Sequence, residues 1–89
     1  MKQAILLTIY GHVQGVGFRF FIKQKADMLG ISGYVRNQLN RTVYVEAEGE
    51  PEQLEFFTNL CRQEPSHVRV EKVEIQSCPL QFFEGFIMK

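Results

Sequence analysis

The residues best placed to do chemistry lie in Gly11-His12-Val13-Gln14-Gly15-Val16-Gly17-Phe18-Arg19, where an apolar run gives way to three glycines and then an arginine. A glycine-rich turn ahead of a helix lets successive backbone N–H groups converge on one point, because Gly15 and Gly17 tolerate positive φ. The first helical turn adds unpaired donors and the positive end of the helix dipole. Main chain alone can thus build an anion receptor. Arg19 sits within reach of such a site, and its planar guanidinium can hold two oxygens of a phosphoryl group at once. A plain tight turn followed by a solvated arginine would show the same residues, so both readings stand at this point. The loop is not a P-loop, because no Gly-Lys-Ser/Thr follows, and it lacks the last glycine of a dinucleotide fingerprint. Val13, Val16 and Phe18 are expected to anchor it by packing.

The rest of the chain limits the reaction. Ten basic and ten acidic side chains cancel to a net charge of zero, unlike a protein that wraps a polyanion. Asp27 is the only aspartate, and the glutamates supply no carboxylate pair for two metals. Cys61 and Cys78 share no metal-ligand spacing and are expected as inert reduced thiols. His12 and His67 lack an evident serine or cysteine partner and are expected at the surface. An enzyme built from these parts must manage without a metal, a nucleophilic side chain or a strong general acid. Acyl phosphates suit it, since their leaving group is a carboxylate whose conjugate acid has a pKa of about 4.3 and departs unprotonated. Such a site needs only to hold the phosphoryl oxygens, offset their charge and aim a water, the last a task suited to an uncharged asparagine.

These groups need a scaffold. Residues 4–10 alternate as a strand, with Ile5, Leu7 and Ile9 on one face. Phe18, Ile22, Ala26 and Leu29 recur at helical spacing, and Gly30 suits the position after the last turn. Residues 31–37 form a short strand with Ile31, Gly33 and Val35 on one face, and residues 38–41 form a turn. Residues 42–49 alternate again, Val43, Val45 and Ala47 inward against Tyr44, Glu46 and Glu48 outward. Pro51 suits the start of a second helix with an apolar face of Leu54, Phe57, Leu60 and Cys61, and Pro65 ends that region. In residues 68–77, Val68 and Val70 are out of phase with Val73 and Ile75, so a bulge or a later strand start is expected. Residues 82–89 can add an edge strand. The order predicts one α+β domain over residues 1–89, a ferredoxin-like βαββαβ sandwich with an antiparallel sheet and two helices on one face. The first and second strands are read as antiparallel, leaving the facing of Asn37 toward the loop unfixed by periodicity.

The stretches GHVQGVGFR and GYVRN, with VEAEG and the GFIM ending, closely resemble the acylphosphatases, and the likeness spans essentially the whole chain. It implies that Arg19 binds phosphate together with main-chain amides of Gln14, Gly15, Val16, Gly17, Phe18 and Arg19. It also implies that Asn37 orients the attacking water, and that no metal, other cofactor or covalent intermediate takes part. The expected partner is a small-molecule acyl phosphate, with no nucleic acid and no membrane, for a cytoplasmic monomer. Asn40-Arg41 stands where relatives carry an aspartate-glycine turn, and Asn40 is expected to supply its left-handed residue. The loop also resembles the acylphosphatase-like domain of hydrogenase-maturation carbamoyltransferases, but Phe20 replaces their usual proline, and with the chain ending at Lys89 a stand-alone enzyme is favoured. The alternatives are an RNA-recognition-type module, whose glycine-aromatic motif would belong on the third strand, and a phosphate-binding domain without catalysis.

Overall fold

Alternation in the first strand produces the two faces of the sheet. In the computed structural model, which describes residues 1–63 and 68–89, β1 (Gln3–His12) buries Leu7 and Ile9 completely. It is followed by α1 (Phe18–Leu29), β2 (Ser32–Asn37), β3 (Val43–Gly49), α2 (Pro51–Arg62), β4 (Arg69–Cys78) and β5 (Phe86–Met88). The sheet order is β4-β1-β3-β2-β5. Leu7, Ile9, Val35, Val43, Val45 and Ala47 form its buried face, against Phe18, Ile22 and Ala26 of α1 and Leu54, Phe57 and Cys61 of α2. The helices also pack on each other, so both cover one face. Gly30 ends α1 in the left-handed conformation, as expected. Leu60 is only half-buried. Thr58 takes an inner place in α2 instead, its hydroxyl donating to the Leu54 carbonyl.

Two expectations about strand direction require correction. β1 and β2 are each antiparallel to β3, so they run parallel to one another. The cause is α1, which carries the chain back over the sheet and restarts β2 in the direction of β1. Their C-terminal ends therefore lie at the same end of the sheet. β5 pairs with β2 in parallel, making the sheet mixed rather than wholly antiparallel. The ring of Phe86 in β5 meets that of Phe57 edge-on at 6.1 Å.

The phase break in β4 is a bulge. Tyr10 pairs with Lys72 and Gly11 with Val70, leaving Glu71 as the extra residue. At Gly11, φ is 134°, and a Cβ would lie 2.1 Å from the Arg69 carbonyl oxygen. Only glycine fits there, at the point where β1 turns toward the loop. Pro65 and His67 lie outside the described residues.

Glu48 departs from its expected outward, solvated position, since it is 1% exposed. Its carboxylate accepts hydrogen bonds from the backbone N–H groups of Gln81, Phe82 and Phe83 at 2.5–3.2 Å. The segment leading into β5 thus crosses the outer face and uses a carboxylate to satisfy its amides. Glu48→Gln replaces one acceptor oxygen with a donor facing those amides and should cost about 2 kcal/mol of stability, read from urea unfolding. Unchanged stability would refute this account of the segment.

Candidate active site

At the end of the sheet where β1 and β2 terminate, the loop between β1 and α1 is held at both sides. Val13 and Phe18 are buried, and Val16 packs partly against the core. Between these anchors Gly15 and Gly17 take φ values of 73° and 77°, the left-handed conformation the glycines were expected to supply. Gly17 caps α1 without a side-chain hydrogen bond, and the first turn carries no acidic residue. The positive end of the helix dipole is therefore not offset by a carboxylate of that turn.

Arg19, in the first turn of α1, is half-buried, and its Nη1 donates to the main-chain oxygen of Lys89. The Lys89 N–H donates in turn to the Val35 carbonyl at 2.8 Å. The guanidinium is thereby tied to β2 two residues before Asn37. Asn37 closes β2 opposite Val43. Strand alternation puts it on the face of Val35, the helix-covered face, while Arg36 turns outward and lies over the Tyr44 ring at 5.0 Å. Arg19 and Asn37 thus lie at one end of the molecule.

Asn37 lines a cleft of about 530 Å³ between two walls, Gly11–Gln14 on one side and Asn37–Leu39 with Arg41 on the other. Of the expected amide carriers, Gln14 borders this cleft. Gly15, Val16, Gly17, Phe18 and Arg19 are not among its lining residues. His12 is exposed, as expected, and also lines the cleft.

The hairpin beyond Asn37 differs in detail from expectation. Arg41, with φ 71°, is the left-handed residue rather than Asn40. The Arg41 N–H closes a turn on the Gln38 carbonyl at 3.1 Å, and the Gln38 N–H bonds the Thr42 carbonyl at 2.9 Å. In a three-residue hairpin loop of this kind the last residue takes the left-handed conformation. Asn40 serves through its side chain, whose Oδ1 accepts from the Thr42 N–H and hydroxyl.

Two participants were not found from sequence. One is the main-chain oxygen of Lys89, a backbone group with no sequence signature. The other is the Gln14 side chain, whose Nε2 donates to the Gln38 carbonyl at 2.8 Å and the Thr42 carbonyl at 2.9 Å. A long amide in a loop otherwise made of glycine and packing anchors was the available signal, since a partly buried amide needs partners.

The remaining reactive types do not converge. Among the described residues no group of three or more His, Cys, Asp or Glu could hold a metal. Burial pushes the Cys61 thiol up to about 12, and burial with Glu46 and Glu48 raises Cys78. Neither thiol is a ready thiolate at neutral pH. Among the described residues no helix is long and apolar enough to cross a membrane.

The family profile described as Acylphosphatase matches residues 5–88. An acylphosphatase from Nocardioides sp. is 38% identical over 86 residues, covering 97% of this chain and 87% of that protein. The crystal structure of acylphosphatase from Bacillus subtilis superposes with a TM-score of 0.95 at 27% identity, covering 100% of this chain and 99% of that one. The HypF structure from T. kodakarensis gives a TM-score of 0.85 at 33% identity, covering 100% of this chain but only 12% of HypF. With the profile spanning nearly every residue and the Nocardioides relative matched over 87% of its own length, the chain belongs to the acylphosphatase family of enzymes.

Proposed function

We propose that this enzyme hydrolyses small acyl phosphates to carboxylate and inorganic phosphate by in-line attack of a water oriented by Asn37. The phosphoryl group rests on the main-chain amides of Gln14 to Arg19 and is gripped by the Arg19 guanidinium. The water oxygen bonds to phosphorus as the bond from phosphorus to the carboxyl oxygen breaks. The water's proton passes to a phosphoryl oxygen, and the carboxylate leaves with its electron pair unprotonated. No side chain becomes covalently attached.

The observation that carries this reading is the parallel course of β1 and β2, which brings the glycine loop, Arg19 and Asn37 to one end of the sheet. Amides and a guanidinium suit a transition state whose charge spreads over the phosphoryl oxygens, because their dipoles are already aimed before reaction. The carboxamide of Asn37 can accept from a water and donate to a phosphoryl oxygen, and so set the angle of attack.

The test is turnover of benzoyl phosphate in excess chelator, run beside a phenyl phosphate control. Phenyl phosphate must expel a phenoxide, whose conjugate acid has a pKa of about 10, without help from a general acid. Hydrolysis of the first alone, at a rate unchanged by chelation, is the expected result. Equal turnover of both, or loss of activity in chelator, would overturn the mechanism.

A further inference from the structure

The two halves of the proposed site come from separate connections, the loop between β1 and α1 and the hairpin between β2 and β3. A water held on one half must lie in line with a phosphate held on the other, yet β1 and β2 do not pair directly because β3 runs between them. One side chain bridges the gap. Gln14 Nε2 donates both its hydrogens across the cleft, to the carbonyls of Gln38 and Thr42 at 2.8 and 2.9 Å. Those carbonyls stand at the mouth of the hairpin and already accept from the Arg41 and Gln38 N–H groups at 3.1 and 2.9 Å. Gln38 directly follows Asn37.

From this geometry, and resting on the reaction proposed above, we infer that the Gln14 side chain is a positioning group that sets the spacing between the water held by Asn37 and the phosphate cradle. The residue acts at both ends. Its backbone N–H belongs to the cradle, and its carboxamide clamps the turn that carries Asn37. A single amide donating to two carbonyls fixes direction as well as distance, which one hydrogen bond would not do. A carboxylate could not replace it, since it offers these carbonyls only repulsion.

The test is Gln14→Met, which keeps the length of the side chain and removes both donors, with Gln14→Glu as a second variant that also lacks them at neutral pH. Loosening the two halves should lower kcat for benzoyl phosphate by about 10- to 100-fold. For Gln14→Met the inhibition constant of inorganic phosphate should change less than about twofold, because the cradle amides are main chain, whereas the carboxylate of Gln14→Glu should weaken phosphate binding as well. A variant that had merely lost its fold would fail to bind phosphate as well. The decisive measurement is a cycle with Asn37→Ser. If Gln14 acts through Asn37, then Gln14→Met adds less than about twofold to the loss already caused by Asn37→Ser. A full additional loss in that background would overturn the inference, as would Gln14 variants with wild-type kcat. If Asn37→Ser itself kept the wild-type rate, the proposed mechanism would fail and this inference with it, whereas a normal Gln14→Met beside an impaired Asn37→Ser defeats only the inference.

Discussion

Arg19→Ala should lower kcat/KM for benzoyl phosphate by about 10³-fold or more, roughly 4 kcal/mol of transition-state stabilisation. The guanidinium is the only cation of the proposed cradle, and the negative charge it faces is present both in bound substrate and at the transition state. Its loss should therefore appear twice, as weaker binding of inorganic phosphate and as a lower kcat. Arg19→Lys should recover little, because an ammonium cannot bridge two phosphoryl oxygens from a fixed plane. The fold should tolerate the change. Arg19 is half-buried, and its side chain gives up a hydrogen bond to the main-chain oxygen of Lys89, a loss of about 1 kcal/mol or less of stability at a site open to water. Kinetics, phosphate inhibition and a thermal melt on one preparation separate these effects. Hydrolysis that survives Arg19→Ala unchanged would remove the arginine from the mechanism.

What the sequence makes legible here is local. Leu7 and Ile9 alternate, Phe18, Ile22 and Ala26 recur at helical spacing, and all five are buried where those periods put them. Gly15 and Gly17 adopt the positive φ that only glycine takes without strain. The bulge was readable because Val68 and Val70 break phase with Val73. Strand direction is different, since no side-chain pattern records whether a neighbour runs up or down, and the parallel course of β1 and β2 follows only from the crossover helix between them. Glu48 was placed outside by alternation, and alternation is right about the face. The segment before β5 then covers that face and buries it. Arg41, rather than Asn40, is left-handed because hairpin closure decides which loop residue takes that conformation, overriding residue preference. Gln14 shows the same limit, its partners being carbonyls more than twenty residues away.

Asn37→Ala should leave the affinity for inorganic phosphate within about twofold of the wild type while kcat falls by about 10³-fold. The split follows from what the carboxamide does. In the proposed reaction, loop amides and Arg19 hold the phosphoryl oxygens of the bound ground state, and Asn37 should add little to binding. At the transition state the water must sit opposite the departing carboxylate, and a carboxamide that accepts from the water while donating to phosphate fixes that line. Asn37→Asp tests the same point from the other side. An aspartate is isosteric but cannot donate, and its charge faces the phosphate, so it should lose binding as well as rate. Asn37 is exposed at the end of β2, so neither substitution threatens the core, and thermal melts should stay near the wild type. If Asn37→Ala instead abolished phosphate binding and left kcat at saturation intact, Asn37 would belong to the cradle, and the water would have to be oriented by another group bordering the cleft, where Gln14 and Gln38 carry carboxamides and His12 an imidazole.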